Sequence, residues 1–298
     1  MEKKKQTGLI VKALGGFYYV ETSDGVYECR ARGVFRKKET SPVVGDHVAI
    51  ELDAQEKGTV TEIFARKNEV LRPPMANLDK IFVVASICEP QPNLFVMDKF
   101  LAMSEHKGIE PVVIITKSDL MDTEPLERVY RHAGFRVLAV SNQADDFVAE
   151  AKELLRNSVC AFTGNTGVGK SSFLNALYPE FQLKTAQISQ KLGRGKHTTR
   201  HVELYKLEDV NGYVADTPGF SSMDLMRYDV ILKDDLQYCF REFEPYLGHC
   251  RFTGCSHTVE KGCAVLEALA EGKIEASRHA SYVELYNEAK QIKEWELK

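Results

Sequence analysis

The 298-residue chain has no long apolar run. Its longest stretches, such as "IFVVASIC" (81–88), fall far short of the roughly 20 residues that cross a bilayer, so no membrane partner is expected. The lysines of "MEKKKQTG" (1–8) have no apolar segment behind them, and no signal peptide is read there. Basic charge is not in excess: 39 Lys and Arg stand against 43 Asp and Glu, for a net charge of −4. That balance argues against wholesale wrapping of nucleic acid while leaving room for local basic patches. Internal repeats and low-complexity segments are also missing. Seven cysteines, an odd number, do not make a disulfide framework. They fit a reduced, cytoplasmic setting in which thiols are free or bound to metal. Nothing points to an obligate dimer, and a monomer is expected.

What is present is enough chain for two or three domains. Residues 8–68 hold short β-prone runs, "GLIVKA", "GFYYVET", "GVYECRARGVF", "VVGDHVAIEL" and "GTVTEIFA", with Gly, Asp and Lys turns between them. Five such strands suggest a small barrel or sandwich. "RPPMANLDK" (72–80) reads as a linker. From residue 81 the pattern changes to fully apolar strands, "IFVVASI", "PVVIIT", "RVLAVS" and "VCAFTG", alternating with helical segments such as "LFVMDKFLAMSEHKG" and "EPLERVYRHAG". That alternation makes a parallel sheet with helices on both faces. The remainder holds a Cys/His knot and a helix with Tyr282, Leu285, Ala289 and Ile292 on one face. The expectation is a multidomain α/β chain divided at 1–70, 71–222 and 223–298.

"GNTGVGKSS", comprising Gly164, Asn165, Thr166, Gly167, Val168, Gly169, Lys170, Ser171 and Ser172, fits the phosphate-binding pattern G-x-x-x-x-G-K-[ST]. Its glycines let backbone N–H groups turn toward phosphate oxygens, Lys170 reaches the β/γ-phosphates, and the Ser171 hydroxyl binds Mg²⁺. "ADTPGF" supplies Asp216 for the Mg²⁺ shell and Gly219 as a γ-phosphate sensor. "TKSD" (Thr116, Lys117, Ser118, Asp119) ends a buried strand. The Asp119 carboxylate can accept from guanine N1–H and N2–H₂ together, a donor pair that adenine lacks. The Lys117 stem can cover the base. Thr116, where many GTPases have Asn, can tie this loop to the phosphate loop. Taken singly, "TKSD" also reads as a helix N-cap. "AVSN" brings Ser141 and Asn142 with backbone N–H groups for guanine O6.

The motif order is base, base, phosphate, switch, switch. Open parallel sheets bind ligands at the carboxyl ends of their strands whatever order the chain visits them, so this order describes a circularly permuted P-loop GTPase. With "GRGKHTTRH" and the Cys/His knot, these motifs closely resemble the circularly permuted GTPases of small-ribosomal-subunit assembly, the RsgA/YjeQ/YloQ group, over nearly the whole chain. The resemblance implies an N-terminal OB-fold β-barrel, the permuted GTPase domain and a C-terminal, mainly helical zinc-binding domain. It also implies GTP hydrolysis stimulated by the small subunit, late in that subunit's maturation.

"KTAQISQKLGRGKHTTRH" (184–201) lies where the first switch must be; it is basic and has no acidic residue. Thr199 is the choice for the Mg²⁺-binding switch threonine because "TTR" resembles other translation-associated GTPases, with Thr198 next. Phe220 stands where many GTPases carry a water-orienting Gln. His197 is the internal candidate for that role; the alternatives are an RNA contact for His197, an arginine supplied in trans, and Arg194 or Arg200 in cis.

"CRFTGCSHTVEKGC" offers Cys250, Cys255, His257 and Cys263, a closed tetrahedral set for one structural Zn²⁺, with His249 as a substitute. Cys29, Cys88, Cys160 and Cys239 read as core. On the barrel, "RARGVFRKK" places Arg30, Arg32, Arg36, Lys37 and Lys38 around Phe35. This is either a solvated face or an RNA contact that uses charge and aromatic stacking; the resemblance favours rRNA of the small subunit. Two other readings stand beside the GTPase: a zinc-bearing RNA binder that only senses nucleotide, and a P-loop ATPase or kinase, against which "TKSD" argues.

Overall fold

The computed structural model describes residues 4–33, 35, 41–141, 143–144, 146–179, 202–216 and 230–292. Five strands, β1 (Lys4–Leu14), β2 (Phe17–Thr22), β3 (Gly25–Ala31), β4 (His47–Leu52) and β5 (Gly58–Ile63), pair in the order β1–β2–β3–β5–β4. β4 pairs back onto β1 and closes the barrel. Period-two alternation sends Ile10, Val20, Cys29, Val48, Ile50 and Val60 into its core.

The segment expected to be a linker is instead packed. β6 (Glu69–Leu71) and β7 (Pro74–Ala76) form a short hairpin, and Met75, Ala76 and Leu78 are fully buried. Asn68 explains why a Pro-rich run sits still. Its side-chain amide donates to Leu78 O (2.8 Å) and its Oδ1 accepts from Leu78 N (2.9 Å). These bonds satisfy the buried Leu78 backbone through one side chain.

Beyond it run β8 (Lys80–Ser86), α1 (Leu94–His106), β9 (Glu110–Thr116), α2 (Glu124–His132), β10 (Arg136–Val140), α3 (Val148–Leu155), β11 (Val159–Thr163), α4 (Lys170–Leu177), β12 (Glu203–Leu207) and β13 (Gly212–Asp216). Their order in the sheet is β10–β9–β8–β11–β13–β12, parallel except for β12. The apolar strands are buried on both faces. Ile81, Val83 and Ala85 of β8 pack with Met97, Leu101 and Tyr130 of α1 and α2, while Phe82 and Val84 pack with Leu154, Phe173 and Leu177 of α3 and α4. The chain lays down β9 and β10 on one side of β8, then returns to place β11 on the other. The crevice between the carboxyl ends of β8 and β11 is therefore the switch point where such sheets bind ligands.

Two 3₁₀ turns (Leu236–Cys239 and Arg241–Tyr246), α5 (Ala264–Ala270) and α6 (Ala276–Lys290) form the last layer around Phe240, Phe243 and Tyr282. Tyr282, Leu285 and Ala289 are buried as their spacing implies, whereas Ile292 lies past the end of the helix. This layer is joined to α1 by charge. Arg278, wholly buried, donates to Asp98 Oδ1 (2.7 Å) and to both oxygens of Glu242 (2.7 and 3.2 Å). Arg241 donates to Glu105 (2.5 Å), Glu110 (2.8 Å) and Gly134 O (3.2 Å). Removing Arg278 would strand two buried carboxylates, and Arg278→Met is expected to cost about 3–5 kcal/mol of stability, read from urea denaturation.

Candidate functional site

The phosphate loop joins β11 to α4 at the sheet's carboxyl edge. Gly164, Gly167 and Gly169 have φ of +137°, +82° and +98°, a region closed to most side chains. Space is equally restrictive. A Cβ on Gly164 would lie 2.1 Å from Val84 O, and one on Gly169 3.3 Å from Thr116 Oγ1. Lys170, first residue of α4, is half-buried, and its ammonium donates to Gly164 O (2.6 Å) and Asn165 O (2.7 Å). Burial lowers its pKa from the ordinary lysine value. The ammonium is thus held inside the curl of the loop, the position from which it meets phosphate oxygens. Ser171 and Ser172 follow in the first turn of α4.

The loop carrying "TKSD" sits against this one. Thr116 Oγ1 donates to Val168 O at 2.5 Å and lies 3.3 Å from Ala85 O, so a single hydroxyl links β9, β8 and the phosphate loop. Lys117 takes φ +61° and its ammonium donates to Glu89 O. Ser118 N donates to Val140 O (3.1 Å), joining the loop to the end of β10. Asp119 is exposed; its Oδ1 accepts from Ser141 Oγ (3.0 Å) and its Oδ2 from Gln143 Nε2 (3.2 Å). Ser141 Oγ in turn accepts from Gln143 N (2.9 Å). The carboxylate is aimed by two donors and, with about four lone-pair positions, keeps acceptor capacity for a base.

Gln143 was absent from the sequence expectations, as was the loop after β8. There Ser86 Oγ donates to Glu89 O (3.1 Å), and Pro90 approaches Gly167. Position alone signalled this loop: it follows a doubly buried strand at the binding edge. Asp216 ends β13 at the same edge, its backbone paired with Glu203. Asn142, His197, Thr199, Gly219 and Phe220, with Thr198, Arg194 and Arg200, lie outside the described residues.

The Cys/His knot closes on itself. The ligand atoms of Cys250, Cys255, His257 and Cys263 all lie within 4.8 Å of one another. Cys250 Sγ is 3.8 Å from Cys263 Sγ, and His257 Nδ1 is 3.5 and 3.4 Å from those two sulfurs. A tetrahedral ion with thiolate bonds of about 2.3 Å has sulfur–sulfur edges of about 3.8 Å. Nε2 of His257 lies 3.0 Å from the acceptor Gln237 Oε1, a contact that suits Nε2–H and leaves Nδ1 free to meet a cation. Burial pushes the Cys255 thiol up to about 12 and raises Cys263 as well, so these thiols need a cation beside them to ionise. Burial works to raise Glu260 too, but the Ser256 hydroxyl and the N–H groups of Ser256 and Val259 hold it at about 2. That carboxylate pins the turn carrying His257. His249 is exposed and not part of the set.

Comparison with known proteins decides the family. The model described as RsgA GTPase matches residues 63–226, and the one described as RsgA N-terminal domain matches residues 7–60. This chain belongs to the RsgA GTPase family. The small ribosomal subunit biogenesis GTPase RsgA of Bacillus cereus is 46% identical over 292 residues, covering 96% of this chain and 98% of that protein. Its namesake in Geobacillus kaustophilus is 44% identical with the same coverage. Among solved structures, YjeQ from Thermotoga maritima matches with a TM-score of 0.81 at 30% identity, over 97% of this chain and all of the other. YloQ, described as a circularly permuted GTPase, matches with 0.80 at 34%, over 97% and 96%. As an RsgA-family member the protein is a GTP-hydrolysing enzyme, with GTP, GDP and Mg²⁺ the ligands its family implies.

On the barrel of this RsgA-family chain, Arg30 and Arg32 are exposed; Arg30 covers the Phe17 ring (4.6 Å) and Arg32 pairs with Glu51 (3.2 Å). Phe35 departs from its expected stacking role. It is only 8% exposed and packs in the barrel core, where apolar burial outweighs display of a ring. Arg36, Lys37 and Lys38 lie outside the described residues. Cys29, Cys160 and Cys239 are core as expected, but Cys88 is only half-buried, in the loop that borders the nucleotide site. Among the described residues no helix is long and apolar enough to cross a membrane. Asp119→Asn removes a charged acceptor, and guanine-nucleotide affinity is expected to fall about ten- to a hundredfold with ATP affinity unmoved, measured by competition with a fluorescent GDP.

Proposed function

We propose that this enzyme binds the small ribosomal subunit through its rRNA, assists the subunit's late maturation and hydrolyses GTP to GDP and phosphate with stimulation by the subunit. It acts as a monomer in the cytoplasm. The observation that carries the reading is the Thr116–Val168 hydrogen bond, which brings the guanine-reading loop and the phosphate loop into one site in an RsgA-family chain. The relatives that match nearly end to end are named for small-subunit biogenesis. The working division of labour is 1–70 for rRNA, 71–222 for GTP and 223–298 for the metal, with the β6–β7 hairpin at the first boundary.

Asp119, held by Ser141 and Gln143, accepts guanine N1–H and N2–H₂; Ser141 and Asn142 face O6, and Lys117 lays its stem along the base. Residues 164–172 cradle the phosphates, with Lys170 on the β/γ oxygens. Ser171, Thr199 and Asp216 are the residues that would hold Mg²⁺, and Gly219 senses the γ-phosphate. When bound, Mg²⁺ offsets the charge that builds on the phosphate oxygens. His197 orients the attacking water in place of the Gln that Phe220 replaces. Arg30, Arg32, Arg36, Lys37 and Lys38 meet rRNA phosphates, whereas Phe35 supports that face from within.

One structural Zn²⁺ at Cys250, Cys255, His257 and Cys263 suits the closed donor set. Cys263→Ser is expected to lose the single zinc equivalent in metal analysis and to lower the melting temperature, while GDP affinity stays within about twofold. GTP and ATP turnover with and without purified small subunits, at one salt concentration, tests the function: slow GTP-only turnover that rises sharply with small but not large subunits is expected. Tight GTP binding with no stimulation would overturn the proposed partner.

A further inference from the structure

The barrel is not merely tethered to the GTPase sheet; it shares a strand with it. β1 pairs with β4 from Lys4 to Leu9, is bulged between Ile10 and Lys12, and then meets β12 with Lys12 opposite Glu203. A bulge re-aims a strand, and here it turns β1 from its barrel partner to the edge of the second sheet. Glu203 is in turn opposite Asp216 on β13. One cross-strand row therefore runs Lys12, Glu203, Asp216, and places a barrel lysine about 10 Å, two strand spacings, from the aspartate read as a Mg²⁺ holder.

Side chains fasten the row. Lys12 Nζ lies 3.0 Å from Glu203 Oε2, with both side chains under a third exposed. On the neighbouring strand, Glu21 of β2 accepts from Lys206 Nζ of β12 (2.7 Å) and from the Tyr213 hydroxyl of β13 (3.1 Å). Burial and then the Glu21 charge push the Tyr213 hydroxyl up to about 12, so it remains a donor at neutral pH. Two barrel strands thus grip both strands of the β12–β13 hairpin. In the sequence that hairpin lies between the two expected switches: residues 184–201 precede it, and Asp216 is its last residue, with Gly219 three positions on.

We propose that Lys12 and Glu21 are positioning residues for GTP hydrolysis: they hold the β12–β13 hairpin to the barrel and so set the place of Asp216 at the carboxyl edge of the sheet. The proposal rests on the reading of Asp216 as a Mg²⁺ holder. An ion pair of this exposure supplies modest energy, so changes of a few-fold are expected, confined to Mg²⁺-dependent steps.

The test compares wild type with Lys12→Met, Glu21→Leu, their double variant and the conservative Lys12→Arg, all of which leave Glu203 in place opposite Asp216. Release of a fluorescent GDP is followed against Mg²⁺ concentration, beside GTP turnover. Lys12→Met and Glu21→Leu are each expected to raise the Mg²⁺ concentration for half-maximal retention of nucleotide about three- to fivefold. Lys12→Arg should keep the wild-type value, and release in EDTA should stay within about twofold of wild type for every variant. A lowered melting temperature with unchanged Mg²⁺ dependence would reduce these contacts to structural glue and overturn the proposal, as would an equal rise in Lys12→Arg. Lack of GTP turnover by wild type would instead strike the catalytic reading, since Mg²⁺-dependent release reports on Asp216 without hydrolysis.

Discussion

The hydrogen bond from Thr116 to the Val168 carbonyl is the constraint on which the nucleotide site depends. It crosses from the end of β9 to the middle of the phosphate loop, and Gly169 lies so close to the same threonine that a side chain there would press on it. The two loops follow different strands and the bonded residues are 52 positions apart in the chain, so this bond ties them directly. The tie is cheap in side-chain entropy, since a threonine has one χ1 angle to fix. It also explains how Thr can stand where many GTPases use Asn: the geometry asks for one donor at short range.

β8 lies beside the phosphate-loop strand β11 in the sheet, so the segment from β8 to α1 forms the other lip of the crevice. α1 is also the surface to which the C-terminal layer is fastened. Arg278 and Arg241 draw on Asp98 and Glu105 of α1 and on Glu110 at the start of β9. Buried ion pairs contribute little net stability compared with apolar packing but are costly to break. They fix the layer in one orientation on the sheet. The same α6 that carries Arg278 reaches the Cys/His turn, where His279 meets His257 O (2.8 Å) and the Tyr282 hydroxyl donates to Ser256 O (3.0 Å). A small knot of ligands with little core of its own thus gains a rigid support.

Periodicity and spacing made much of this protein legible from its residues. Doubly buried strands announce themselves as unbroken apolar runs, so β8 to β11 and their helices were readable. The phosphate loop, "TKSD" and the Cys/His set each pack their chemistry into a few adjacent positions, and a local motif survives without knowledge of the fold. The length and turn chemistry of the first five strands narrowed the first domain to a barrel or sandwich, and the resemblance chose the barrel. "RPPMANLDK" misled because prolines punctuate packed hairpins as well as linkers, and what holds this one is the long-range reach of Asn68 to Leu78. Phe35 misled because an aromatic among arginines looks displayed until the barrel closes around it.

Tertiary structure alone decided the contacts between residues far apart in the chain. Gln143 aims Asp119, Pro90 approaches Gly167, and Arg278 joins Asp98 across 180 positions. β12, short and half-polar, acquires its meaning only between β13 and the bulged end of β1. The sequence by itself determined the family, the chemistry of each motif and the class of each layer, because those properties are written in neighbouring residues. Where the motifs meet, and through which side chains the barrel and the metal layer touch the nucleotide site, was left to the fold. Those distances are set by sheet order and packing, which no local pattern records.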